Sequence, residues 1–272
     1  MAVRLAEKCA AFRRLHEAGC FVMGNPFDAG SAVMLERLGF KALASASSAM
    51  SWTMGKPDHD VERDVILKHL ETLTAATDLP VNADYENGFA DDPDGLAANV
   101  ARALATGIAG LTIEDSPGDK TAPLYEFDLA VRRIKAARAA IDRSGSGAVL
   151  TARCEGLFPG RPGLAETVKR IKAYAAAGVD CLYAPGMNAD ADITAIVAAA
   201  GGKAVTMLTM GQPVAALASL GIRRITVGGL LAGAAYGEVM RVAKDILERG
   251  RFDGLDRGLS FAEMNKLFAT KG

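Results

Sequence analysis

Apolar residues follow two rhythms along this chain. In one they recur every three or four positions, as at Leu96, Val100 and Leu104 or at Val168, Ile171 and Ala175, the spacing of a single buried helix face. In the other they run together in short β-like stretches too apolar to have a wet side, as parallel strands covered on both faces do. Five joints between the rhythms share a pattern: "AGCFVMG", "LGFKALASA", "TGIAGLTIED", "AGVDCLYAP" and "LGIRRITVGG". In each, a glycine (Gly19, Gly39, Gly107, Gly178 or Gly221) stands where a helix would end in a left-handed cap, and a strand follows it. Three more strands are expected at 79–85, 148–153 and 203–208.

Eight strands alternating with helices predict an α/β fold, a (β/α)8 TIM barrel. A doubly wound sheet shares the alternation, but no GxGxxG follows the first strand. No composition break or long linker divides the chain, so the expectation is one barrel domain over residues 1–272. Residues from about 250 to 272 read as a C-terminal helical extension packed on a neighbouring subunit.

Composition narrows the partners. The 272 residues are half hydrophobic and carry a net charge of −1, which gives no reason to expect nucleic acid or an anionic membrane. The first helix carries Glu7 and Glu17 and lacks the apolar core of a signal peptide. Residues 204–222 are uncharged and nearly long enough to span a bilayer, but "GQP" at their centre predicts strand, turn and helix instead. Cys9, Cys20, Cys154 and Cys181 have no CxxC or metal-ligand spacing and read as free thiols, consistent with a cytoplasmic location.

The chemistry gathers at strand ends. In "VNADYENGF", Asp84 and Glu86 lie two residues apart, which in a strand aims both carboxylates at one face. Ser45 and Ser47 follow the second strand, Glu114 and Asp115 the fourth, and Arg153 and Glu155 the fifth. In a TIM barrel these positions form the active-site face. Carboxylates crowded there resist ionising unless a cation neutralises them. Oxygen donors, with His16, His59 and His69 all placed away from the strand ends, suggest Mg²⁺ or Mn²⁺ over zinc. A divalent ion beside Arg153 suits a small-molecule carboxylate, a 2-oxo acid held while its enolate forms. Glycines in "TVGGLLAGAAYGE" could bind phosphate or could permit close helix packing.

The motifs "GNPFDAGSAVMLERLGFKAL", "SASSAMSWTMGKPD", "VNADYENGF", "GLTIEDS", "LTARCEG" and "ITVGGLLAGAAYGE" occur in an order that resembles the isocitrate lyase/phosphoenolpyruvate mutase superfamily. The resemblance implies a Mg²⁺-dependent barrel enzyme acting on acids like pyruvate or oxaloacetate. It also implies a homotetramer, a dimer of dimers that exchange the last helix. By resemblance Asp84 contacts the metal, while Asp58, Glu86 and Glu114 reach it through water. Ser45, with the backbone of Ala46 and Ser47, and Arg153 would hold the 2-oxo acid.

The chain departs from the family in the loop after the fourth strand. "EDSPGDKTAPLYEF" lacks the cysteine and histidine of the tricarboxylate lyases. Lys120 and Thr121 partly fit the mobile loop of the mutases, Lys120 as a catalytic cation or as a solvated lysine, but Ala122 replaces an asparagine. The reading that follows is a carbon–carbon lyase or decarboxylase of oxaloacetate-type or substituted malate-type acids. Carbon–phosphorus chemistry and a metabolite-binding barrel without catalysis are the alternatives.

Overall fold

The computed structural model describes residues 4–119, 121–209 and 211–269. Eight strands form one parallel sheet: β1 (Phe21–Met23), β2 (Leu43–Ala44), β3 (Val81–Asp84), β4 (Gly110–Glu114), β5 (Val149–Arg153), β6 (Cys181–Tyr183), β7 (Ala204–Leu208) and β8 (Arg224–Thr226). They run in the order β1-β8-β7-β6-β5-β4-β3-β2, and a single bridge from Gly24 to Leu43 brings the two edges together. A Cβ on Gly24 would lie 2.9 Å from the end of the Leu35 side chain, so glycine here lets α2 pack closely on this edge. The result is the (β/α)8 barrel expected.

Helices α1 (Leu5–Glu17), α2 (Ala29–Arg37), α3 (Ser47–Thr53), α4 (Arg63–Ala76), α5 (Pro93–Ala105), α6 (Phe127–Ser144), α7 (Leu164–Ala176), α8 (Asp190–Ala199), α9 (Val214–Ser219), α10 (Leu230–Arg249) and α11 (Phe261–Phe268) complete the described chain. The junction glycines cap helices as expected; Gly107 and Gly178 sit at φ 86° and 92°. The uncharged 204–222 stretch resolves into β7, a turn and α9. No described helix is long and apolar enough to cross a membrane. All four cysteines are free.

Side-chain alternation divides each strand between two environments. Leu111, Ile113, Leu150, Ala152, Val205 and Met207 are buried in the apolar core. Asn82, Thr112, Thr151, Thr206 and Arg224, from the opposite face of their strands, are also buried. Branched aliphatic residues ordinarily fill this lumen; here it is polar.

The C-terminal segment packs differently from the rest. In α10, only Ala232 and Val242 are buried. Val239 (64%), Leu247 (85%) and Phe261 (86%) are exposed on α10 and α11. Helix α11 lies on α2 of the same chain, where Arg37 Nη1 donates to the Lys266 carbonyl at 3.1 Å.

Candidate active site

Parallel pairing of β4 and β5 sets Glu114 directly opposite Arg153, and pairing of β5 and β6 sets Arg153 opposite Tyr183. From this register the site assembles. Arg153 Nε lies 2.5 Å from Glu155 Oε1 and 3.4 Å from Glu114 Oε2, and its Nη1 lies 3.8 Å from Asp84 Oδ1. Its guanidinium carbon stands 5.4 Å from the Tyr183 ring centre. One cation thus serves three carboxylates. Burial pushes the Glu114 carboxyl up to about 8 against the pull of the Arg153 charge, with repulsion from Glu155 and Asp84 adding to the rise. Arg153 itself is held charged: burial disfavours its cation, but Glu114, Glu155 and Asp84 outweigh that and raise it well above the usual arginine range.

Asp84 ends β3 and is fixed from the β2 side. Its backbone N–H donates to Ser45 Oγ (2.8 Å), and the Ser47 N–H at the start of α3 donates to Asp84 Oδ2 (3.2 Å). No side chain caps α3, and Ser45, Ala46, Ser47 and Ser48 all line a cavity of about 170 Å³ together with Asp58, Asp84 and Arg153. Glu86 and Glu114 are not among the residues that line it.

Glu86 does not reach the mouth by strand alternation. β3 stops at Asp84, and Glu86 occupies a left-handed turn at φ 47°. The turn is held from outside by buried Arg133, which donates to the Asn87, Ala90 and Asp91 carbonyls. Glu86 Oε2 lies 3.1 Å from His59 Nδ1, and His59 Nε2 lies 3.7 Å from Asp58 Oδ2. His59 therefore belongs to the mouth, contrary to its expected place outside it. Its hydrogen bond to Glu86 raises its imidazolium to about 9 against the effect of burial, with the Asp58 charge assisting. His59 also has positive φ, 62°, so both members of this pair store backbone strain of about 1–3 kcal/mol.

Two further residues escaped the sequence reading. Asn25 Oδ1 accepts from Thr226 Oγ1 (2.8 Å) and from the Val227 and Gly228 N–H groups (both 3.0 Å), and its Nδ2 donates to the Ser45 carbonyl (3.3 Å). It ties the ends of β1, β2 and β8 together. Arg161 Nη1 lies 3.5 Å from Glu155 Oε2 and donates to the Pro123 carbonyl at 3.1 Å. Asn25 sits in "GNPFD" and Arg161 in a Gly/Pro-rich loop; neither has a periodic signal pointing inward.

Asp115 turns away from the cavity. It accepts from Tyr174 (2.6 Å), Arg170 Nη1 (3.2 Å) and the Glu155 N–H (2.9 Å). The glycines after β8 serve packing: the Val227 and Gly228 N–H groups are committed to Asn25, and a Cβ on Gly229 would lie 2.8 Å from Ser48 Oγ. Lys120 lies outside the described residues.

The donor set suits a hydrated hard ion. The candidate ligands are all carboxylates, and their repulsion is incompletely neutralised. Among the described residues no three His, Cys, Asp or Glu side chains gather closely enough to grip a metal directly. Mg²⁺ keeps several of its waters and needs few protein ligands, so Asp84 and Asp58 on the cavity, with Glu86 and Glu114 nearby, are a compatible arrangement.

A family model described as phosphoenolpyruvate phosphomutase matches residues 12–247. The chain is 32% identical to an oxaloacetate decarboxylase of Paraburkholderia xenovorans over 73% of its own length and 67% of the relative's. It is 27% identical to a protein of Corynebacterium glutamicum named as a probable 2-methylisocitrate lyase 2, over 86% of its own length and 79% of the relative's. Among solved structures, a chain from Burkholderia cenocepacia J2315 superposes with TM-score 0.95 at 39% identity, covering 98% of this chain and 97% of that one. Phosphonopyruvate hydrolase, solved with oxalate and Mg²⁺, shares the fold at TM-score 0.86 and 24% identity, covering 96% of this chain and 94% of that one.

Proposed function

The chain belongs to the phosphoenolpyruvate phosphomutase family, within the isocitrate lyase/phosphoenolpyruvate mutase superfamily of lyases and mutases, and on that premise we propose that it is a Mg²⁺-dependent carbon–carbon lyase or decarboxylase of a small 2-oxo acid. The observation that carries this reading is the sharing of Arg153 by Asp84, Glu114 and Glu155 beside a small cavity. The likeness to oxaloacetate decarboxylases supports the bond type.

Asp84 would hold Mg²⁺ directly, with Asp58, Glu86 and Glu114 holding its waters. Bound there, the ion supplies Lewis-acid polarisation of the substrate carbonyl. Arg153 is a fixed, permanently charged fork that binds the substrate carboxylate and stabilises negative charge growing on the adjacent oxygen. The Ser45–Ser47 turn orients the same end of the substrate with its hydroxyl and amide groups. Tyr183, Pro185 and Leu208 wall the cavity on the far side and exclude water from the breaking bond.

A screen of 2-oxo acids and substituted malic acids for pyruvate release with Mg²⁺ tests the reading. Turnover of at least one acid is expected; no turnover of any acid with the metal-loaded protein would remove it. The family model's own description favours a second reading, carbon–phosphorus chemistry. Phosphonopyruvate therefore belongs in the screen, followed by phosphorus NMR, and an unchanged spectrum would dismiss it.

The exposed apolar side chains of α10 and α11 support assembly with further copies, proposed as a homotetramer of helix-exchanged dimers. Sedimentation at micromolar concentration should give four chains, and a monomer would refute the assembly.

A further inference from the structure

Arg224 opens β8 and points into the lumen below the cavity just described. It is 2% exposed and lies on the cavity wall, on the same surface as Asn82, Thr112 and Thr206. Among the described residues no carboxylate lies within ion-pairing distance of it. Its Nη1 meets His16 Nε2 at 3.3 Å, and the other nitrogen of that ring, Nδ1, lies 2.8 Å from the Phe12 carbonyl. Nδ1 therefore carries the proton, and Nε2 accepts from Arg224 as part of a neutral ring. Burial and the charge of Arg224 hold His16 down, to about 3, so it supplies no charge either. The nearest groups that favour the arginine's cation are Cys181 and Tyr183, both neutral near pH 7.

A buried guanidinium cannot shed its proton, and a charge removed from water without a partner costs several kcal/mol. Arg153 shows the contrast within the same barrel: three carboxylates surround it, whereas Arg224 has none. Three donors of the lumen face lack a hydrogen-bond partner among the described residues; Thr151 does not line the cavity, and the residues of the other two do. Arg224 Nε and Thr206 Oγ1 are both buried without a hydrogen bond among the described residues, and Thr206 is the register partner of Arg224 across β7 and β8. Asn82 Oδ1 is also unpartnered, but it is an acceptor and has no part in holding an anion. Unmatched donors and an unmatched positive charge at the bottom of an accessible cavity describe a receptor for a small anion.

We propose that Arg224 and Thr206 form an anion subsite on the cavity floor, and that it receives the second carboxylate of a dicarboxylic 2-oxo acid whose other end lies against Arg153 and the Ser45–Ser47 turn. The identity of the anion rests on the function proposed above; the existence of the subsite does not. Tyr183 lines the same cavity, and the charges of both Arg153 and Arg224 act on it. The subsite selects acids with two carboxylates over pyruvate-like acids with one.

Two measurements separate the parts. Crystals of the wild-type protein grown in bromide should show an anomalous peak within hydrogen-bonding distance of Arg224 Nε; water alone there overturns the subsite, whatever the enzyme's reaction. Calorimetry in Mg²⁺ then compares oxalate, which spans only the Arg153 end, with malate. Arg224→Met should weaken malate at least tenfold and leave oxalate within about twofold. Thr206→Val, an isosteric change that spares the buried charge, should weaken malate about threefold in the same selective way. Equal losses for both ligands, or unchanged malate affinity in both variants, would overturn the assignment of the second carboxylate.

Discussion

Glu114 and Asp115 are neighbours in sequence, similarly buried, and face opposite sides of the barrel wall. Asp115 looks outward, where Arg170, Tyr174 and the Glu155 N–H all donate to it. Glu114 looks toward the mouth, where its one cation is shared with two other carboxylates. The outer carboxylate is fully matched by the protein and the inner one is not. A buried charge whose partners are complete builds the scaffold. One whose partners are incomplete marks where a ligand supplies the remainder.

The largest effect that could break this contrast is on stability. Asp115→Ala takes from buried Arg170 its one buried carboxylate, leaving it only the more exposed Glu166, and strips the Tyr174 hydroxyl and the Glu155 N–H of their acceptor, which should cost about 3–5 kcal/mol in urea unfolding. A loss under 1 kcal/mol would show that the outer cluster is not structural. Glu114→Gln should do far less. With its carboxyl pushed up to about 8, Glu114 is already largely protonated in metal-free buffer at pH 7, so glutamine keeps both charge and shape and the unfolding free energy should change by no more than about 1 kcal/mol. A fall above 2 kcal/mol would place Glu114 with Asp115 in the scaffold.

The barrel was legible because its cues are local. Strands covered on both faces are continuously apolar, and a helix that ends in a left-handed residue needs glycine at one position, as at Gly107 and Gly178. Asp84, Glu114 and Arg153 were legible for the same reason: each is the last residue of its strand. The rest depends on loops, whose paths follow no period. Glu86 was placed at the mouth by an alternation that had already ended. His59 lies 27 residues before the carboxylate it bonds, and only the folded 54–62 loop joins them. Asn25 meets its partners at the end of β8, 201 to 203 residues further along the chain. Arg224 stands beside Arg223 in "LGIRRITVGG" with no local cue, and only the absence of a carboxylate around it among the described residues sets it apart.

Titrating Mg²⁺ into metal-free protein by calorimetry, with oxalate present, bears on the unmatched mouth without requiring that the natural substrate be known. Saturable one-to-one binding is expected for the wild-type chain, and Asp84→Asn should abolish it while Asp115→Asn, if folded, retains it. Absence of binding to the wild-type chain, or equal binding to the Asp84→Asn variant, would contradict the seating of a cation among these carboxylates.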